Sequence, residues 1–145
     1  MLLPFSESLI ITTKFDPEAA SLADRHYSRQ KPGTRQFMPN GSTLVIRNWE
    51  GTVVFGWLFQ QRRMDHQQGY CCSIFRNESP RLSSSIILEC EQIAFSVWGP
   101  NRVFTYINPS KLKSSNPGFC FKMAGYRIVG RSSERHFLLL AKEPR

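Results

Sequence analysis

Short apolar stretches separated by Gly, Pro and polar turn residues recur along the whole sequence, which predicts alternating strands and helices. The first stretch, Leu9 to Thr12, predicts a short strand. Asp16-Pro17-Glu18 then predicts the start of a helix, because Asp is a favoured N-cap, Pro suits the first helical position and an acid suits the first turn. Side chains at helical spacing give this helix one apolar stripe, composed of Ala19, Leu22, Ala23 and His26.

The middle of the chain predicts three strands and a long helix. The strands cover Ser42 to Arg47, Thr52 to Phe59 and Gly69 to Phe75, and Asn48 to Gly51 forms a hairpin turn between the first two. An amphipathic helix follows and ends at Gly99-Pro100. Its apolar face is predicted to contain Ile86, Cys90, Ile93, Ala94 and Val97.

The last third predicts a strand over Arg102 to Ile107, a short helix within NPGFCFKMAG, and strands over Tyr126 to Val129 and His136 to Ala141. A helix of barely two turns is unstable alone, so we expect packing to hold it. The predicted order is β-α-β-β-β-α-β-α-β-β. It indicates a mixed α/β fold, a single domain over residues 1–145 with a central, mostly antiparallel sheet flanked by helices.

Composition is that of a globular chain. The 145 residues are 41% hydrophobic, and no apolar run approaches the roughly 20 residues that a membrane span needs. The first residues, MLLPFSESLIITTKF, contain no basic segment or small-residue cleavage site, so we expect no signal peptide and a cytoplasmic protein. The cysteines lack the spacing of a metal site, and no metal motif is present, so we expect Cys71, Cys72, Cys90 and Cys120 to be buried thiols.

Charge points to a polyanionic partner. Nineteen Lys and Arg against eleven Asp and Glu give a net charge of +8, and from Arg102 to the end there are nine basic and two acidic residues. This asymmetry favours DNA, RNA or a phosphate-rich cofactor. The alternative is a surface that is basic without such a partner.

Two segments carry a resemblance to a known superfamily. YCCSIFRNESPRLSSSIILECEQIAFSVWG and RVFTYINPSKLKSSNPGFCFKMAGYRIVG resemble the GNAT superfamily of N-acyltransferases. In that family an Asn often opens the short helix and a Gly-aromatic pair closes it, here Asn116 and Gly125-Tyr126. The family's fold implies two strands that part near Phe75 and Ile107, with the acyl donor between them and the short helix covering the gap.

A narrower resemblance rests on RHYSRQ, FRNE, LSS and NPGFCFKMAG, which are similar to the Mom-like DNA-modification proteins of phages. It implies that an acetyl or related acyl group, from acetyl-CoA or another acyl donor, is transferred to an amino group of a modified nucleobase in phage DNA, within the host cytoplasm. Two alternatives stay open. One is a GNAT enzyme that acts on a small amine or a protein, and the other is a DNA-binding module without catalysis.

The resemblance also implies a donor site around the long helix and the short helix. Helix N-termini attract phosphates. The alternative for the serines is that they are simply good helix starters. The alternative for Asn108, which precedes Pro109, is that it starts a turn. The implied residues are Phe75, Arg76, Arg81, Leu82, Ser83, Ser84, Ser85, Asn108, Asn116, Phe119 and Lys122. Two features depart from the family pattern. The usual glycine-containing phosphate loop is absent, and Phe121 stands where many relatives have a Tyr that can protonate the departing thiolate. Either another group, such as Tyr27 or Tyr106, takes that role, or the leaving group differs.

Candidate catalytic residues follow from the need for a neutral amine. His26 or Glu78 would accept the proton, and Tyr27 lies beside His26 in the chain. The alternative for His26 is a hydrogen-bonded histidine in the core. The alternative for Glu78 is an exposed loop acid or a partner of the helix dipole.

DNA contacts are expected from basic and aromatic residues in loops: Arg29, Lys31, Arg35, Phe37, Arg62, Arg63, Lys111 and Lys113. A base flipped out of a duplex, or a single-stranded one, would stack on Phe37, Trp49 or Trp57. The alternative for these aromatic residues is packing, which we favour for Trp57.

Overall fold

The computed structural model describes residues 3–4, 9–24, 38–111, 116–133 and 135–144. These residues form two compact units, one from Met1–Phe59 and Cys72–Arg81 and the other from Gln60–Cys71 and Leu82–Arg145. The prediction of one domain over residues 1–145 stays a prediction, as does the parting of strands near Phe75 and Ile107.

The first unit is a run of strands with one helix. Its strands are β1 (Leu3–Pro4), β2 (Leu9–Thr12), β3 (Ser42–Asn48), β4 (Val53–Phe59) and most of β5 (Tyr70–Asn77). They lie side by side in chain order, and β1, β2, β3 and β4 pair antiparallel in succession. Strands β3 and β4 are buried along nearly their whole length, and Trp57 is fully buried as predicted. The Asn48–Gly51 hairpin turn is confirmed, while β1 was not predicted.

Helix α1 (Pro17–Ala23) begins where the sequence predicts. The Asp16 carboxylate accepts hydrogen bonds from the Glu18 N–H at 2.9 Å and from Arg47 Nε at 2.6 Å. Burial alone would raise the pKa of Asp16, but the hydrogen bonds from Arg47, Thr12 and the Glu18 N–H outweigh it and lower the pKa. One side chain therefore caps the helix and neutralises a buried guanidinium.

The second unit contains α2 (Ser83–Trp98), β6 (Val103–Ile107), a 3₁₀ turn (Pro109–Lys111), α3 (Phe119–Met123), β7 (Arg127–Arg131) and β8 (Leu138–Lys142). Strand β8 lies between β6 and β7 and pairs antiparallel with both. The first residues of β5 also belong to this unit, where the Tyr70 N–H donates to the Arg102 carbonyl at 2.8 Å. The predicted elements are confirmed with ends shifted by one or two residues.

The buried face of α2 keeps four of the five predicted residues and adds three others. Ile86, Cys90, Ile93 and Ala94 are buried, but Val97 is 49% exposed and Ser84, Ile87 and Glu91 are buried instead. The buried side chains of α2 lie in its first three turns. Val97 lies in the last turn, where all residues are exposed or half-buried. Gly99 ends the helix at φ 93°, as predicted.

Helix α3 begins at a glycine. Its N-cap is Gly118 at φ 77°, and Asn116 contributes its backbone carbonyl to the Phe119 N–H at 3.2 Å. A Cβ at Gly118 would lie 3.0 Å from Leu140 Cδ2, so both the backbone conformation and the space favour glycine.

The architecture is a mixed α/β fold with mostly antiparallel strands and flanking helices, which confirms the predicted fold class. Cys71, Cys72 and Cys90 are buried, while Cys120 is half-buried. Within the described ranges, none of the helices is both long enough and apolar enough to cross a membrane.

Candidate active site

The loop after β5 is fixed by its own side chains. Asn77 Oδ1 accepts hydrogen bonds from the Ser79 N–H at 2.9 Å and from Ser79 Oγ at 2.6 Å. Asn77 Nδ2 donates to the Arg81 carbonyl at 2.8 Å, and the Arg81 N–H donates to Ser79 Oγ at 3.2 Å. This is the segment where the GNAT pattern has glycines. Here polar side chains, not glycines, set the backbone conformation.

The predicted base Glu78 lies in this loop. Its N–H donates to the Thr52 carbonyl at 2.7 Å, and its Oε2 accepts from Arg76 Nε at 3.0 Å. The Glu78 side chain is 29% exposed, so solvent reaches the carboxylate. Phe75 packs its ring 5.2 Å from that of Phe55. The loop therefore presents an accessible acid on a fixed backbone.

The start of α2 is unusual because its N-cap is Leu82. This side chain is 71% exposed and, being apolar, makes no capping hydrogen bond, and the first turn contains no acid. Ser84 is buried, Ser83 is half-buried and Ser85 is exposed. The three serines are the first helical residues, which agrees with the alternative that they start the helix, although none of them is the N-cap. The partial positive charge of this helix end is left without a capping oxygen from the N-cap side chain, which suits an anion.

The residues predicted around α3 divide into exposed and buried groups. Phe119 is 46% exposed, and Lys122 Nζ donates to Asn116 Oδ1 at 2.6 Å. Phe121 is 4% exposed and packs edge-on against Tyr126 at 5.2 Å. Phe119 is therefore exposed, Lys122 is half-buried and Phe121 belongs to the core, while contact of Asn116, Phe119 and Lys122 with a donor stays a prediction.

Asn108 starts a turn at the end of β6. Its Oδ1 accepts hydrogen bonds from the Ser110 N–H at 3.1 Å and from Ser110 Oγ at 2.7 Å. This geometry agrees with the turn-starting alternative, because the side-chain oxygen bonds the backbone two residues on.

Arg63, predicted to contact DNA, is instead held by Asp65, a partner that was not predicted. Its guanidinium donates to both oxygens of Asp65, at 2.9 and 2.8 Å, and lies 5.0 Å over the ring of Phe104. Tyr106 OH donates to Asp65 Oδ2 at 3.0 Å. The Arg63 side chain is only 12% exposed, so it is poorly placed for a phosphate, whereas Arg62 is exposed. The Arg-x-Asp spacing in a polar loop was the available signal.

This network shifts two pKa values in opposite directions. Burial would raise the pKa of Asp65, but the hydrogen bonds from Arg63, the Gln67 N–H and Tyr106 lower it to about 2. Burial, then the hydrogen bond to Asp65, raises the pKa of Tyr106 to about 12. A phenol with that pKa, already donating its proton to a carboxylate, is a poor acid for a thiolate. Tyr106 is therefore an unsuitable proton donor.

Several predicted site residues lie outside the described residues: His26, Tyr27, Arg29, Lys31, Arg35, Phe37 and Lys113. Lys111 is the last residue of the 3₁₀ turn. Trp49 is 59% exposed, with the Arg47 guanidinium 5.7 Å over its ring. Of the candidates for base stacking among the described residues, only Trp49 is exposed.

This chain is similar to known proteins in structure but not in sequence. The sequence matches no protein-family model and no curated protein. A GNAT-family acetyltransferase structure from Bacillus anthracis aligns with a TM-score of 0.54 at 12% identity, covering 99% of this chain and 98% of that one. A Bordetella pertussis structure assigned to the GNAT-family acetyltransferases aligns with a TM-score of 0.60 at 14% identity, covering 100% and 99%. This chain has the fold of the GNAT-family acetyltransferases.

Proposed function

We propose that this protein is an N-acyltransferase with acetyl-CoA or a related acyl donor. The observation that carries the proposal is the likeness of fold to GNAT-family acetyltransferases over essentially the whole length of the chain. A likeness confined to one motif would support much less, because short strand–helix units recur in unrelated folds.

The proposed seat for the donor's phosphates is the N-terminus of α2. Leu82 provides no capping oxygen, no acid lies in the first turn, and Ser85 is exposed beside the first N–H groups. A helix end without a capping bond from its N-cap side chain and without a first-turn acid favours a pyrophosphate. Arg81, the preceding residue, would add a cation. Phe119 and Lys122 on the exposed side of α3 would contact the rest of the donor.

The bound donor would supply a thioester, and the chain would supply the base and the hydrogen-bond donors. The amine nitrogen would attack the thioester carbonyl carbon, forming a C–N bond as the C–S bond breaks and the thiolate leaves. Glu78 or His26 would accept the amine proton, and the backbone N–H groups of β5 would stabilise the carbonyl oxygen. Since Phe121 has no proton to donate and Tyr106 is bonded to Asp65, Tyr27 is the proposed acid for the thiolate.

For the substrate, we propose an amino group of a nucleobase in phage DNA. The support is the net charge of +8, the Mom-like motifs, and exposed basic side chains at Arg62, Arg127 and Arg131. The exposed ring of Trp49 offers a stacking surface for an unpaired base. A small amine or a protein is the alternative acceptor.

A second candidate function, DNA binding without catalysis, is favoured by two observations. Phe121, in the position where many relatives have a Tyr, is a buried core residue, and the loop before α2 has no glycine. A chain that had lost donor binding would tolerate both.

Nucleoside mass spectrometry tests the substrate directly. DNA is isolated from cells that make the protein and from matched cells that make a Glu78→Gln, His26→Asn double variant. An acylated nucleoside that is found only with the intact protein supports the proposal, and identical nucleoside profiles contradict the nucleobase substrate.

Calorimetry separates the alternatives. Acetyl-CoA binding without DNA affinity indicates a small amine or a protein, and salt-sensitive DNA affinity without donor binding indicates the binding module.

A further inference from the structure

A buried ion pair joins α2 to β8. Lys142 Nζ lies 2.7 Å from Glu91 Oε1, and the two side chains are 10% and 3% exposed. Lys142 Nζ also donates to the Ala124 carbonyl at 2.8 Å and lies 5.2 Å over the ring of Tyr126. Glu91 Oε2 is buried and has no hydrogen-bond partner among the residues that the structure describes.

Stability alone is a poor explanation for this pair. Two buried charges lose their hydration, and apolar side chains of similar volume often stabilise a protein as well or better. A carboxylate with only one of its two oxygens bonded is less favourable still. The pair therefore calls for a role that an apolar pair could not perform.

That role is visible in what Lys142 contacts. Ala124 is the C-cap of α3, and the carbonyls at a helix C-terminus need donors and favour cations. Two residues earlier on the same strand, Leu140 packs at Gly118, the N-cap of α3. Strand β8 therefore contacts α3 at both ends, through packing at the start and through the Lys142 ammonium at the finish.

We propose that Glu91 and Lys142 are positioning residues that hold α3 in place. Glu91 fixes the Lys142 ammonium, and the ammonium fixes the carbonyl of Ala124, the C-cap of α3. A helix of five residues cannot persist alone, so its position depends on such contacts. As far as donor binding is concerned, the inference rests on the proposed function, because α3 carries Phe119 and Lys122 among the proposed donor contacts.

The decisive variant removes both charges at once. Glu91→Leu with Lys142→Met keeps the volume, and we expect a midpoint of thermal unfolding close to that of the wild type. Amide hydrogen exchange of Ala124, Gly125 and Tyr126 should nevertheless accelerate about tenfold or more, because the α3 turn loses its tether. The dissociation constant for acetyl-CoA should rise about tenfold. Unlike the double variant, Lys142→Met alone should lower the midpoint of thermal unfolding, because it leaves the Glu91 charge buried and unpaired.

The matched control is Glu143→Gln, which neutralises the neighbouring acid, 78% exposed and 3.6 Å from Arg102. It should change none of these quantities. Exchange is compared at equal global stability, set with urea, so that a less stable variant such as Lys142→Met can still be compared with the wild type.

Three outcomes decide the inference. Faster α3 exchange at matched stability in the double variant, or in Lys142→Met if the double variant does not fold, supports it. Wild-type exchange rates at Ala124, Gly125 and Tyr126 overturn it and leave a merely structural ion pair. If acetyl-CoA binds to no form of the protein, the proposed function and the donor part of the inference fail, while the exchange rates still decide whether the pair positions α3.

Discussion

Leu82 at the N-cap of α2 offers a test in which stability and donor binding should move in opposite directions. An apolar N-cap leaves the helix without the capping bond that Ser or Asp would provide. The Leu82 side chain is 71% exposed, so its replacement sacrifices little burial. We therefore consider Leu82→Ser and Leu82→Asp.

Both variants should stabilise the fold. A hydroxyl cap in place of an apolar residue is worth about 1 kcal/mol, and a carboxylate adds about 0.5 kcal/mol through the helix dipole. For a chain of this length, each 1 kcal/mol raises the unfolding midpoint by roughly 3 °C. Thermal unfolding followed by circular dichroism measures this gain.

Donor binding should separate the two variants. At roughly 6 Å and an effective dielectric constant of about 20, an added carboxylate repels each phosphate charge by about 3 kcal/mol before salt screening. We expect the dissociation constant for acetyl-CoA to rise at least about tenfold in Leu82→Asp and to stay within about threefold in Leu82→Ser. Equal affinity of the two variants for acetyl-CoA would refute the assignment of the phosphates to this helix end.

The other predictions concern pH and backbone space in the second unit. The pKa of Asp65 is about 2 in the folded state against 3.8 for the free side chain. As the pH falls from about 4 to 2, the wild type should therefore lose about 2 kcal/mol of its free energy of unfolding, and Asp65→Asn should not show this loss. The pKa of Tyr106 is about 12 in the folded state against 10.0 for the free side chain. As the pH rises from about 10 to 12, the wild type should therefore lose about 2 kcal/mol of its free energy of unfolding, and Tyr106→Phe should not show this loss. Urea titrations across pH measure both, and parallel curves for wild type and variant would contradict either shift. Gly69→Ala should cost about 3 kcal/mol or more, because φ is 112° and a Cβ would overlap the Arg102 carbonyl oxygen, whereas Gly99→Ala at φ 93° meets open space and should cost about 1 kcal/mol. If Gly69→Ala and Gly99→Ala lose equal free energies of unfolding in urea titrations, the Arg102 carbonyl must move away from the added Cβ, which would contradict this prediction.

Local signals in the sequence predicted the elements well. The start of α1 followed from Asp16 and Pro17, and Gly99 marked the end of α2, because these residues act on backbone within a few positions. The N-cap of α2 did not follow from its serines. The buried stripe fixes which residues face inward, and it turns Ser84 toward the core and leaves Leu82 at the cap.

Polar partners distant in the chain could not be predicted in this way. Tyr106 and Asp65 are 41 residues apart, and Glu91 and Lys142 meet only once α2 packs on β8. Periodicity treats a charged residue in a helix as solvent-facing, so it left Glu91 outside the buried face. Such pairs depend on tertiary packing, which carries no short-range signal.

Whether this fold binds an acyl donor is tested most directly by equilibrium titration of acetyl-CoA into the wild-type protein. We expect saturable binding of one donor per chain, with stabilisation against unfolding of about 2.7 kcal/mol at a donor concentration 100 times the dissociation constant. Absence of both binding heat and stabilisation at millimolar acetyl-CoA would contradict donor binding.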